Sequence, residues 1–335
     1  MSKTDGPATL TAAPKQSIIV TYHDISQCQG LQFAKKVETA TMKYIVTTDS
    51  GCDLPLSLLQ EHHIEAQMFP YELDGQTLHD TMRQEDLHHF YDRMRAGASP
   101  KTSQINPQEF MEFWTPLLRQ GLPIVHISLG SGVSGTWNNG VLAASLLHEK
   151  DPSAPPIHVV DSTLNSVGYG MLSLDAARMR DQGATAEECV AWLEANRVRV
   201  NPWMLTDELK YLRRSGRCSR ASAAIGTALH ILPIVNMDAT GHLFVQERLR
   251  GMSKTIDRVR EIVGQSVEDA AHQTLFICHS DIPEQARQFG EQLRSEFGFR
   301  DVYYTYIGVI IGANCGPGLM ASFYYGKPRT IWTEQ

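Results

Sequence analysis

The chain has 335 residues, 42% of them hydrophobic, and a formal net charge of −7. That composition can fill a sizeable core, the length suits two domains better than one, and the acidic balance gives no global attraction to nucleic acid or an anionic membrane. No apolar run nears the ~18 residues of a spanning helix, and the N-terminus lacks the basic-then-apolar order of a secretory signal, so a cytoplasmic location and no integral membrane segment are expected.

Residues 1–41, opening "MSKTDGPATLTAAPKQ", are polar and turn-rich and read as a flexible extension, although "SIIVTY" has the composition of a short strand. From residue 43 onward, β-branched runs alternate with helical periods. "YIVTT" (44–48), "PIVHISL" (123–129) and "IHVVD" (157–161) read as buried strands, each followed by a small polar turn and an amphipathic stretch. That alternation predicts a parallel α/β sheet, in which ligands gather beyond the carboxyl ends of the strands. "TAEECVAWLEANRV" reads as a helix opened by a Thr185…Glu188 capping box. After Asn201-Pro202 the pattern changes. "HILPIVNM" and "HLFVQERLR" flank an Asp-Ala-Thr-Gly turn, then come the helix "SKTIDRVREIVG", the strand "TLFICHS", a helix from Pro283 and "DVYYTYIGV". These predict a second α/β domain with some antiparallel pairing. The domains expected are 42–200 and 201–335. Cys28, Cys52, Cys189, Cys218, Cys278 and Cys315 are dispersed without a CxxC pair, which reads as reduced thiols with neither a metal site nor a cofactor.

Four clusters carry candidate chemistry. "GSGVSGT" (130–136) lacks the Gly-x-Ser-x-Gly spacing of a nucleophile elbow and the lysine of a phosphate loop. Its hydroxyls, free N–H groups and following helix suit a singly charged acceptor such as a carboxylate. "KTSQINPQEF" (101–110) places Thr102 before a helix starting near Pro107. "DELKYLRRSGRCSRAS" (207–222) carries Lys210, Arg213, Arg214, Arg217 and Arg220, a basic patch suited to phosphate or to a partner's acidic surface. "IGVIIGANCGPGLMASFYYG" (307–326) combines close-approach glycines with Asn314 and Cys315. An enzyme acting on a small acidic or phosphorylated substrate at the Ser134 loop is the alternative; it needs a general base or a metal nearby, and clustering of Asp49, Asp161 or His279 around Ser134 would favour it.

Taken in order, these motifs resemble the DegV family of fatty-acid-binding proteins over about 42–327. The correspondence covers "TTDSGCDLP", "KTSQINPQEF", "SLGSGVSGTW", "VVDSTLNSVGYG", "DELKYLRRSGRCS", "LHILPIVNMDATGHL", "RLRGMSK" and "GANCGPG". The resemblance implies two α/β domains, an N-terminal parallel sheet with flanking helices and a C-terminal mixed sheet, with one long-chain fatty acid in the cleft between them. It assigns the carboxylate to Thr102 and Ser134, with the Gly135 N–H assisting, and implies a non-catalytic carrier that presents its lipid to a separate fatty-acid kinase. Arg217 falls at the family arginine tied to that step, and Asn314 stands where the family has histidine. Ile105 replaces the usual Pro after TSQ, and Leu129-Gly130 replaces a usual Ser. Asparagine can hydrogen-bond an oxygen but cannot carry a positive charge or relay a proton.

Overall fold

The computed structural model describes residues 42–206, 209–218 and 231–332. The extension expected over 1–41, Cys28 and Arg220 lie outside the described residues. The first half runs β1 (Ile45–Asp49), α1 (Leu56–Glu61), β2 (Ile64–Gln67), β3 (Pro70–Leu73), β4 (Gln76–His79), α2 (Leu87–Arg95), β5 (Lys101–Thr102), α3 (Pro107–Leu118), β6 (Ile124–Ser128), α4 (Thr136–Lys150), β7 (Ile157–Asp161), α5 (Val167–Asp181) and α6 (Ala186–Asn196). The second runs β8 (Val200–Leu205), α7 (Leu209–Ser215), β9 (Ile231–Met237), β10 (Leu243–Arg250), α8 (Met252–Ser266), β11 (Thr274–His279), α9 (Pro283–Phe297), β12 (Asp301–Tyr306), α10 (Val309–Cys315) and β13 (Met320–Tyr325).

The first half holds a parallel sheet in the order β2-β1-β6-β7. Every residue of β1 and β6 is buried, as strands covered on both faces require. Because the chain leaves β1 towards β2 on one side and reaches β6 and β7 on the other, the order reverses at β1 and β6. A crevice therefore opens beyond their carboxyl ends. A small antiparallel sheet, β4-β3-β5, caps this region; its strands had no counterpart in the sequence reading. The expected capping box at α6 is present, and Asn106 with Glu109 builds a second one at α3, with Pro107 in the first turn.

The second half is a mixed six-stranded sheet, β10-β9-β8-β13-β11-β12, with β13 antiparallel to both neighbours and β11-β12 parallel. Period-two alternation divides its side chains between two cores. Trp203, Leu205, Ile234, Met320 and Tyr324 pack outward with Val259 of α8 and Phe289 of α9. Met204, Val235, Cys278, Ala321 and Phe323 face the first half and join its core. The inner face of this sheet therefore forms one wall of whatever lies between the halves.

Polar contacts lace that junction. Tyr91 donates to the Ile307 carbonyl at 2.7 Å, and Asp53 accepts from the Gly308 N–H at 2.8 Å. Asp281 is gripped by His88 and Arg95 of α2 at 2.7 and 2.5 Å. Arg329, buried, donates to the carbonyls of Thr163, Asp238 and Arg197. No helix among the described residues is long and apolar enough to cross a membrane.

Candidate functional site

The cleft between the halves encloses about 780 Å³ of atom-free space, counting the part open to solvent. Its walls are mainly apolar. The first half supplies Phe69, Leu129 and Val133, and the second supplies Met204, Leu243, Ile311, Leu319 and Phe323.

Thr102, Ser134, Arg217 and Asn314, taken from four separate motifs, all line this one cleft. Three of them form a continuous hydrogen-bond chain. Arg217 Nη1 donates to Asn314 Oδ1 at 2.9 Å, and Asn314 Nδ2 donates to Thr102 Oγ1 at 3.3 Å and to the Ile310 carbonyl at 2.9 Å. Those partners fix the amide's orientation, because turning it over would set carbonyl against carbonyl and NH₂ against guanidinium. Thr102 is held by β5, whose Thr102 pairs with Tyr71 of β3. Asn314 ends α10, and Arg217 follows α7. Tyr211 of α7 lies against Gly316, where any Cβ would overlap its ring and where φ is +76°, so only glycine lets α7 seat so closely.

Ser134 lies in the turn between β6 and α4, with Gly135 as the residue preceding the helix. Its hydroxyl pairs with Thr136 Oγ1 at 2.9 Å and accepts from the Thr136 N–H at 3.2 Å. A Cβ on Gly135 would stand 2.7 Å from Gln104 Oε1, which brings this turn against the segment that follows Thr102. The turn is pinned from below and from across the junction. Gly130 donates to the Leu164 carbonyl at 2.8 Å, and a Cβ on Gly132 would overlap the backbone of Gly241 in the β9–β10 hairpin.

The groups an enzyme would need at Ser134 are engaged elsewhere. Asp49 accepts from Tyr169 and, at 3.0 Å, from the Leu129 N–H. Asp161 binds the Ser131 N–H and hydroxyl at 3.0 and 2.6 Å. His279 packs edge-on against Tyr306, with its pKa pushed down to about 4 by burial. Among the described residues, none of these three hydrogen-bonds the Ser134 hydroxyl. Cys278 and Cys315 line the cleft, but burial pushes both thiols up, which suppresses thiolate formation. Exposed His88 and Asp92 approach Asp281 within ligand distance of one another, beside the Arg95 guanidinium.

Two further wall residues come from the strand-end cluster "DSTLNS" (161–166). Asn165 and Ser166, in the loop after β7, line the inner wall. Ser166 donates to Asp53 and, at 3.5 Å, to Cys278 Sγ. Thr163 and Ser166, which bracket Asn165, adopt φ of 52° and 50°, the left-handed region that side chains other than glycine enter at a cost. The position of this cluster at the carboxyl end of β7 is what marks the loop as a site candidate in the sequence.

Fold and cleft together define a two-domain α/β protein with a mainly apolar cleft between its halves and a hydroxyl, amide and guanidinium cluster at one part of the wall. The model of the DegV family, described as an uncharacterised protein family, matches residues 43–327; the chain belongs to the DegV family. A DegV domain-containing protein of Clostridium perfringens is 32% identical over 288 residues, covering 86% of this chain and 99% of its own. A DegV family protein of Thermus thermophilus, whose structure is described as showing fatty-acid binding, shares 25% identity and a TM-score of 0.75 over 85% of this chain and all of its own. The Bacillus subtilis DegV structure, described as a fatty-acid-binding protein, has 24% identity and a TM-score of 0.74 over 86% of this chain and all of its own; at that identity it bears on the fold alone.

Proposed function

We propose that this protein binds one long-chain fatty acid in the interdomain cleft and acts as a non-catalytic cytoplasmic carrier. The observation that carries the reading is the convergence of Thr102, Ser134, Asn314 and Arg217 on one otherwise apolar cleft. The ligand's carboxylate is placed at the Thr102 and Ser134 hydroxyls, with the Gly135 N–H at the start of α4 assisting. The acyl chain follows the apolar wall, where each buried CH₂ contributes about 0.8 kcal/mol, so the tail supplies most of the affinity and the polar cluster sets its direction. The Thermus thermophilus relative, described as binding a fatty acid, supports this assignment.

Solvent extraction of the purified protein followed by mass spectrometry should return fatty acid near one equivalent. Ser134→Ala and Thr102→Ala should each weaken binding about 5- to 100-fold, the equivalent of roughly 1–3 kcal/mol for a donor to an ionised group. A protein that yields no lipid and takes up none on titration overturns the reading.

Delivery to a separate fatty-acid kinase is the second part of the proposal. Arg213, Arg214 and Arg217 are exposed beside the cleft and suit an acidic partner surface or a transferring phosphate. Reversing the charge of Arg213 and Arg214 should abolish capture of such a kinase while sparing lipid binding.

A further inference from the structure

The cleft holds one polar group that the carboxylate reading leaves unused. Asn165 lines the wall and is only 7% exposed, and its Oδ1 is sealed from solvent with no hydrogen-bond partner. Its neighbours on the same loop are committed. Ser166 serves Asp53 and Cys278, and Thr163 accepts from Arg329 at 3.0 Å. The other wall residues include Leu129, Met204, Leu243 and Phe323, none of which can satisfy an amide.

A buried amide oxygen without a donor is unfavourable, and an occupant of the cleft that Asn165 lines can supply one. A carboxylate cannot supply it, since both are acceptors, and an acyl CH₂ leaves the oxygen unpaired. A hydroxyl meets both ends of the amide, donating to Oδ1 and accepting from Nδ2. We propose that the cleft selects a hydroxylated fatty acid, with Asn165 reading a hydroxyl on the acyl chain while the carboxylate sits at Thr102 and Ser134. This rests on the fatty-acid reading and narrows it to a ligand class.

The test titrates the delipidated full chain with stearic acid, its 2-, 10-, 12- and 18-hydroxy derivatives and the 12-oxo derivative. One hydroxylated isomer should bind about 10- to 100-fold more tightly than stearic acid, and the oxo acid, which leaves Oδ1 unpaired, should not share the gain. Asn165→Leu, which keeps the branched shape and removes the amide, should erase the preference, so that stearic acid and its hydroxylated isomers bind alike. Asn165→Ala with a thermal melt serves if the leucine variant does not fold. Stearic acid binding with no hydroxylated isomer favoured overturns the inference and leaves the carrier reading standing, as does a preference that survives both substitutions. Failure of every acid, stearic included, removes the carrier reading and this one with it.

Discussion

Asn314 links Arg217 to Thr102, and its neutrality sets what the polar end of the cleft can do. With no titratable imidazole in that chain, wild-type affinity for a fatty acid should vary little between about pH 6 and 8. Asn314→His introduces a group that ionises near 6.5. Its cation attracts the carboxylate, so the variant's affinity should rise as pH falls through that value, and a pH series of binding isotherms checks the sign. Thr102, Ser134, Arg217 and Asn314 were pointed to by the family resemblance of their motifs and not by local chemistry alone, and the fold brings all four to one cleft. Asn165 stood only within a polar strand-end cluster, and that its Oδ1 is buried without a partner is a property of the folded chain. Arg329 was equally hidden. An arginine after "GKP" reads as solvated, yet its guanidinium is enclosed by carbonyls of Thr163, Asp238 and Arg197, and burial pushes its pKa down to about 10.

The β6–α4 turn and the β9–β10 hairpin meet backbone to backbone at Gly132 and Gly241. Neither side can yield as a flexible side chain would. Gly132→Ala should therefore destabilise by roughly 1–3 kcal/mol or more in urea unfolding, and should displace Ser134 enough to weaken lipid binding in the same protein. Local periodicity showed β1, β6, β7, β9, β10, β11 and β12, but not β8 or β13. In β8, Pro202 breaks the pattern of a central strand. The structure accommodates it because β8 pairs with β9 only at Met204 and Leu205, so Pro202 has no partner on that side. In β13, "MASFYY" is buried throughout its first five residues, so the polar-apolar alternation that identifies a strand is absent.

Two sets of buried titratable groups oppose each other across the whole molecule. Burial raises the Asp49 carboxyl to about 6, and pushes Asp53 and Asp80 in the same direction. An Asp that ionises near 3.8 when unfolded but near 6 in the fold favours folding while protonated. Its contribution falls through that interval, costing roughly 2–3 kcal/mol above pH 6. His126 and His279 act the other way. Burial lowers them to about 3 and about 4, so stability is lost as pH falls below about 6.5, where the unfolded imidazoles take protons. Between about pH 4 and 6 the two sets therefore offset each other, and denaturation midpoints should change less with pH there than either set alone would make them. The advantage of Asp49→Asn over wild type should grow from about pH 4 to 6 and then level; a pH-independent difference contradicts this account. The order of the second sheet also bears on how the protein is made. β13 is the last strand of the described chain, yet it lies between β8 and β11. Until it emerges from the ribosome, β10-β9-β8 and β11-β12 are separate ribbons, each with an open edge, and the cleft lacks the wall that carries Leu319, Ala321 and Phe323. Any occupant of the completed cleft then has to wait for β13, and the two unpaired edges are where a chaperone's protection matters most.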